Sequence, residues 1–346
     1  MSTYETINFA ILGAGVAADF HRQAIEANAD RGAHLKAVAY YNPGRFDAIG
    51  ATFGAPCMTY DEVLADPKVN VVCICTPSGQ HAKQAIAAAR AGKHVLVEKP
   101  MALSLKGADA IIDACQQARV KLGVTLQRRA ELLFARIHDA IEAGDLGELT
   151  LGLVTLPYYR SQAYFDQADW RGRWALDGGG VLMNQGIHLL DLLVWYLGEV
   201  LDVSAHADTL QRDIEVEDTL VATLRFANGA LATVTATTTA RPGFSHRLEL
   251  YGTNGGIQVE GESITRWELA ESGQAIVPPT VTGAATGAGA GGDPRDISPT
   301  GHINVFRDFI EALREDRAPG VDGTEGRRSL AAVLMIYEAA GLLEVT

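Results

Sequence analysis

Cysteine is scarce in this 346-residue chain: there are four, Cys57, Cys73, Cys75 and Cys115, with no paired framework, which excludes a disulfide-stapled secreted scaffold. Cys73 and Cys75 alternate in the apolar run VVCICTP, and no two further ligands lie close by in sequence, so they read as buried packing and no metal site is expected. Basic charge is also short. With 29 Lys and Arg against 42 Asp and Glu, the formal net charge is −13. That excludes nucleic acid or an anionic membrane as the main partner, because phosphate recognition needs clustered cations. It leaves a small ligand open. No apolar run approaches the ~18 residues of a membrane span. The start, MSTYETINFAILGAG, has neither a basic leader nor a cleavable apolar segment, so a cytoplasmic location is expected.

What remains is ordinary globular material, 47% hydrophobic and 21% charged. At roughly 150 residues per domain, the length suggests two domains. Strand-like runs alternate with helical ones over the first third: INFAIL (7–12), LKAVAYY (35–41), NVVCICTP (70–77), HVLVEKP (94–100) and KLGVTLQ (121–127) are separated by helix-compatible stretches. This alternation predicts a doubly wound parallel sheet, an α/β Rossmann domain over residues 1–124. The pattern then changes. After a helix at 133–144 come long β-rich stretches at 148–156, 200–210, 219–240 and 246–261, which predict an α+β domain over 125–346 with a large, mainly antiparallel sheet. Asn228-Gly229 between alternating runs predicts a type I′ hairpin turn. The Gly, Ala, Thr and Pro-rich stretch 272–300 reads as a surface excursion or lid. Helices are predicted at 302–315 and 325–342.

The first strand runs into Gly13-Ala14-Gly15-Val16-Ala17-Ala18. This is G-x-G-x-x-A between a strand and a helix, the context that gives the motif its meaning. Gly13 permits the tight turn, Gly15 lets the backbone approach a pyrophosphate, and the helix start at Val16 and Ala17 offers N–H groups and positive dipole to the phosphates. A dinucleotide is the ligand this points to. An acid is expected about 20 residues on to bind the ribose; Tyr40 stands there, followed by Asn42 and Arg45. Without the carboxylate a 2′-phosphate is not repelled, and Arg45 and Asn42 can bind it. Tyr40 can equally stack near adenine, so NAD and NADP both stay open.

Four more segments complete a pattern: Gly13 to His21, T-P-S-G-Q-H at 76–81, Glu98-Lys99-Pro100, and GGGVLMNQGIHLLDLLVWYLG at 178–198. Together, in order and over nearly the whole chain, they resemble the glucose–fructose oxidoreductase / inositol dehydrogenase / rhizopine-catabolism (Gfo/Idh/MocA) family. The resemblance implies a nicotinamide cofactor and a sugar, inositol or related polyol substrate. It places Lys99 in the active site beside the nicotinamide and carries the family's active-site histidine onto His188. Four residues before that histidine the family usually has Asp; here it is Asn184, which disturbs any three-member relay. Thr76, Pro77 and His81 match the turn that covers the dinucleotide, Glu98, in the same motif as Lys99, is a further cofactor candidate, and Trp170-Arg171 matches a segment that reaches the nicotinamide.

Hydride transfer from a secondary alcohol needs a base for the hydroxyl proton and a donor for the developing alkoxide. His188 is suited to the first role and Lys99 to the second. Asn184, His188 and Asp191 are spaced i, i+4, i+7, which predicts one shared helix face, with Asp191 fixing the imidazole tautomer. The triple glycine Gly178-Gly179-Gly180 is expected to let backbone pass close beneath the substrate. Tyr158, Tyr159, Arg160 and Tyr164 form an aromatic–polar cluster that reads either as a sugar-facing wall or as an exposed or inter-subunit surface. Arg128 and His302 are further substrate candidates, and Gln127 a cofactor candidate. The competing readings are a non-catalytic NAD(P)-binding regulator, supported by Asn184 alone, and an enzyme that retains its cofactor and couples two sugar reactions. An open sheet with small and β-branched residues on both faces predicts a homodimer or homotetramer.

Overall fold

A computed structural model describes residues 5–270 and 297–343. The chain divides into two compact units, Met1–Ala130 with Pro299–Leu330, and Glu131–Ser298 with Ala331–Thr346. The lid expected at 272–300 falls, up to residue 296, outside the described residues.

The first unit opens with β1 (Ile7–Leu12), α1 (Val16–Ala27), β2 (Ala33–Ala39), α2 (Phe46–Phe53), β3 (Cys57–Met58), α3 (Tyr60–Ala65), β4 (Val71–Ile74), α4 (His81–Arg90), β5 (His94–Glu98), α5 (Leu105–Ala118) and β6 (Leu122–Thr125). Six parallel strands stand in the order β3-β2-β1-β4-β5-β6. The order reverses between β1 and β4, the position where open α/β sheets bind ligands. Local signals start the helices. Thr59 and Glu62 form a reciprocal capping box on α3, and the Ser104 hydroxyl accepts from Gly107 N–H at the start of α5. The central strands are near-continuous apolar runs because helices cover both faces.

In the second unit, α6 (Leu132–Glu142) leads to β7 (Leu149–Pro157), the short α7 (Gln162–Phe165), α8 (Ile187–Leu197) and then β8 (Val200–Asp208), β9 (Thr219–Phe226), β10 (Leu231–Thr237), β11 (Arg247–Gly252), β12 (Gly255–Glu260) and β13 (Ser263–Leu269). These seven strands run β13-β12-β11-β7-β10-β9-β8, antiparallel except for the β7–β10 pair. Burial alternates along β9, so one face packs inward and the other is exposed. The hairpin between β9 and β10 departs from the expected type I′ turn. Only Gly229 has positive φ, at 90°; the Asn228 side chain instead accepts from Ala230 N–H at 3.0 Å. The asparagine serves the turn through its side chain rather than through its own backbone conformation.

The last helices are α9 (Thr300–Glu315) and α10 (Gly323–Ala339). α9 departs from the expected division at residue 124: Val305, Phe306, Phe309 and Ile310 join Phe9, Ile11, Ile25 and Leu96 in the core of the Rossmann unit. The boundary between the units falls within α10. A reading along the chain assigns these helices to the nearer domain because nothing local marks which core their apolar faces enter.

Candidate active site

The cofactor half is built at the carboxyl edge of the parallel sheet. Gly13 has φ +106°, and a Cβ there would meet Cys75 O at 2.5 Å, so only glycine makes this turn. Gly15 differs: a Cβ would meet nothing within 4 Å, so the protein itself leaves that space open. No side chain caps the start of α1, whose N–H groups and dipole are left facing the turn. Ala18 is fully buried against the sheet. Open room at Gly15 beside an uncapped helix start fits a pyrophosphate.

Tyr40, at the end of β2, carries Arg45 over its ring, 5.4 Å from the centroid, and Arg45 donates to its hydroxyl at 3.4 Å. Asn42 spends its side-chain oxygen on Gly44 N–H at 3.0 Å. Thr76 donates to Gln84 Oε1 at 2.6 Å. The His81 ring spans two backbone carbonyls, Nδ1 at 2.8 Å from Pro100 O and Nε2 at 2.8 Å from Thr76 O. Carbonyls only accept, so both contacts are hydrogen bonds only when the ring is an imidazolium. Burial pushes its pKa down, and the nearby Glu98 carboxylate counters that. With its pKa lowered, the ring donates as a neutral imidazole to one of these carbonyls and lies against the other, between the Thr76-Pro77 turn and the Lys99-Pro100 segment.

Glu98 ends β5 with its side chain turned inward. One carboxylate oxygen accepts from His21 Nε2 at 2.8 Å and lies 3.6 Å from His302 Nε2, while the other accepts from Lys99 N–H at 3.2 Å. Burial raises its pKa, but the two imidazoles hold it well below the usual carboxylate range. His302, read from sequence as facing the substrate, instead stacks on Phe20 with centroids 4.9 Å apart and points at Glu98. Glu98 itself is occupied inside the unit rather than presented to a cofactor. The trio holds one ligand atom each within 4.8 Å of the others, a metal-like grouping that sequence spacing did not reveal, since the residues are far apart in the chain. Lys99 follows directly and is half-buried. Beyond β6, Gln127 and Arg128 lie in a short turn and are half-buried; Gly301 packs on Gln127, and a Cβ there would meet Gln127 O at 2.9 Å. The neighbouring Arg129 is buried and pairs with Glu325 at 2.5 Å.

In the second unit the key segment opens as a π-helical turn, Leu182–Gly186, and continues as α8. Wide turns of this kind gather at functional sites. The single-face reading of Asn184, His188 and Asp191 assumed one α-helix through all three; Asn184 lies in the π-helical turn, while His188 and Asp191 lie in α8. Between Val181 and Val194 the half-buried residues are Asn184, Gln185 and His188, whereas Asp191 is 1% exposed. Asn184 Nδ2 donates to Asp177 Oδ1, and Asp177 Oδ2 accepts from Gly172 N–H at 2.8 Å. Asp177 is a residue that the sequence reading missed. Asp177 is buried and joins the Trp170-Arg171 segment to Asn184. Arg171 lies 4.2 Å from the Tyr164 centroid and 5.0 Å from that of Trp170; Arg160 reaches Tyr164 at 5.6 Å. Tyr158 is not a sugar-facing wall: it is buried, and its hydroxyl meets His246 Nδ1 at 2.9 Å.

The triple glycine also has another cause than the one expected. A Cβ at Gly180 would lie 1.7 Å from Glu217 O, and one at Gly179 2.2 Å from Tyr337 Oη. The glycines are there to let Glu217 and Tyr337 approach.

Known proteins match along this whole arrangement. Residues 7–126 match the model of the oxidoreductase family with NAD-binding Rossmann fold, and 134–258 that of the GFO/IDH/MocA C-terminal domain. Inositol 2-dehydrogenase of Rhizobium meliloti (strain 1021) is 30% identical over 335 residues, 94% of each chain. The WlbA dehydrogenase from Bordetella pertussis, solved with NADH and UDP-GlcNAcA, superposes with a TM-score of 0.86 at 34% identity over 99% of this chain and 98% of that one. A levoglucosan dehydrogenase solved with NADH superposes at 0.83 with 25% identity, covering 97% of both. Among the described residues no helix is long and apolar enough to cross a membrane. The chain therefore belongs to the Gfo/Idh/MocA family and is an oxidoreductase acting on CH–OH groups.

Proposed function

We propose that this protein oxidises a secondary hydroxyl of a sugar, inositol or related polyol, or reduces the matching ketone, with a nicotinamide dinucleotide seated on the Gly13–Ala18 turn. The observation that carries the cofactor part is the open space at Gly15 beside the uncapped start of α1. When bound, the nicotinamide supplies the hydride acceptor or donor. The chain's own groups do the rest. Lys99 donates to the substrate oxygen and stabilises negative charge as it develops there. His188 takes the hydroxyl proton, its position set by the segment that also carries Asn184. Asn184 is oriented by Asp177, which receives its amide N–H, so its carbonyl oxygen is directed away from that carboxylate.

NAD is the dinucleotide this reading favours. Arg45 lies over the Tyr40 ring and donates to its hydroxyl, an engagement a 2′-phosphate would have to break. The non-catalytic regulator gains no support, since the matched relatives are named as dehydrogenases. Within the polyol class, Arg160 and Arg171 around Tyr164 concentrate positive charge close to the Asp177–Asn184 link, which favours substrates bearing a carboxylate or phosphate. The WlbA relative's bound sugar acid supports placing that class on the test panel. The exposed face of β8–β10 presents Leu201, Val221 and Leu231 among threonines and suits packing against a second copy, so at least a dimer is expected by light scattering at micromolar concentration. The deciding experiment titrates NAD against NADP and then screens inositols, neutral sugars and UDP-linked sugar acids for nicotinamide absorbance change. Tight NAD binding with turnover of one class is expected; no turnover with any class would remove the catalytic reading.

A further inference from the structure

A helix start leaves four backbone N–H groups without an intrahelical acceptor. At the start of the segment carrying Asn184 and His188, two distant residues take all four. Gly180 N–H donates to Glu217 Oε2 at 2.8 Å, Val181 N–H to the Glu217 main-chain oxygen at 3.0 Å, Leu182 N–H to Glu217 Oε1 at 2.9 Å, and Met183 N–H to Tyr337 Oη at 3.1 Å. The next N–H, of Asn184, begins the helical ladder on Gly180 O at 3.0 Å. Tyr337 accepts from Met183, so its own proton goes to Glu217 Oε1, 2.8 Å away. All of this is buried.

We propose that Glu217, together with Tyr337, is a positioning residue for the Asn184–His188 segment, and that ionisation of its carboxyl sets how firmly that segment is held. As the anion it satisfies three donors, and the positive end of the helix favours its charge. As the neutral acid it must carry a proton on an oxygen that already faces a donor, so at least one of these contacts is lost. A proton on Oε2 opposes Gly180 N–H, and one on Oε1 opposes Leu182 N–H and the Tyr337 hydroxyl, the groups that hold the turn bearing Asn184. Burial pushes the Glu217 carboxyl up to about 7 against the pull of its three donors, which places the change in the working range of an enzyme.

The groups around it do not confuse the assignment. From α10 the titratable neighbour is Tyr337, whose phenol burial and the Glu217 charge hold far above its ordinary value, so it stays a donor throughout. Residues 180–183 are Gly, Val, Leu and Met and carry no ionisable side chain. On the stretch that leads into β9, Glu215 turns to Arg173 and Trp174, and Asp218 to the N–H groups of Leu210, Gln211 and Arg212.

The functional consequence rests on the roles given above to Asn184 and His188; the carboxyl assignment does not. It is read by difference infrared spectroscopy of the full chain, titrated from about two units below to about two units above neutrality. A buried protonated-carboxyl band with a near-neutral midpoint is expected, absent in Glu217→Gln. In Tyr337→Phe a donor to the anion is gone, so the midpoint should move up by about one pH unit. For turnover, Glu217→Gln should lower kcat about 10- to 100-fold and move the acid limb of the pH profile, with the KM for NAD changed by less than about 2-fold. No near-neutral band, or a midpoint that ignores Tyr337→Phe, would overturn the proposal; so would a Glu217→Gln variant with wild-type kcat and acid limb. Because the infrared titration needs no substrate, it decides the carboxyl assignment even where the proposed reaction fails, and Tyr337→Phe decides it where Glu217→Gln does not fold.

Discussion

Two glycine-rich turns in this chain each lead into a helix, and their fates are opposite. After Gly13 and Gly15 the start of α1 is left without a side-chain cap and a Cβ at Gly15 would touch nothing. After Gly178, Gly179 and Gly180 the helix start is filled from within by Glu217 and Tyr337, and a Cβ at Gly180 would collide with backbone. On paper both look like sites where backbone approaches a ligand. The difference teaches that glycine marks a close approach without saying what approaches: at the first turn it is left for a ligand, at the second it is the protein.

The sharpest way to break that comparison is to add one methyl group to each turn. Gly180→Ala should cost about 4 kcal/mol or more in denaturant unfolding, because the methyl meets an immovable carbonyl. Gly15→Ala keeps an extended backbone that any residue adopts, so it should stay within about 0.5 kcal/mol of wild type while NAD affinity by titration falls ~10-fold or more. Equal stability losses at the two sites would erase the distinction. Next in size is His188→Asn, which keeps a polar side chain but not a base. Its kcat should fall about 10²- to 10⁴-fold in steady-state kinetics with NAD affinity intact.

How much of this was legible beforehand follows from the range of the interactions. The Rossmann unit could be read from strand–helix alternation and G-x-G-x-x-A because each signal is confined to a few neighbouring residues. The antiparallel sheet was visible in its alternating runs. The Asn228-Gly229 hairpin was located correctly, but its turn type was not, because asparagine can serve a turn through its side chain as well as through positive φ. Lys99 and His188 stood out by motif. Glu217 and Tyr337 did not, since their bonds to Gly180 and Met183 span 37 and 154 residues and no local pattern announces them. The same holds for His302, whose helix packs against a core built at the other end of the chain. The π-helical turn also leaves no trace in a periodicity count, although it holds Asn184 outside the regular helix that carries His188 and Asp191.

Two smaller effects sharpen the picture of the cofactor unit. Tyr40→Asp puts a carboxylate where the proposed reading seats the ribose. The ratio of kcat/KM for NAD over NADP should rise by roughly 10-fold, since the acid accepts from ribose hydroxyls and repels a 2′-phosphate. An unchanged ratio would mean that Tyr40 does not read the ribose. His94 is the last case. Burial and the nearby Lys121 lower its pKa to about 4, and its Nδ1 accepts from Lys121 N–H. A depressed histidine favours the fold while neutral, so its contribution is present above the unfolded pKa of 6.5 and is lost as pH falls through 6.5 towards 4. Thermal unfolding of His94→Asn should therefore show a shallower loss of Tm over that window than wild type, and parallel curves would contradict the assignment.

The measurement that bears most directly on the central claim is the rate of nicotinamide reduction by Lys99→Ala beside wild type, with the best substrate from the panel and with NAD binding titrated on the same samples. The account expects NAD to bind both proteins with similar affinity, while reduction in the variant falls by at least ~10³-fold. Reduction at a rate near wild type in Lys99→Ala would contradict it.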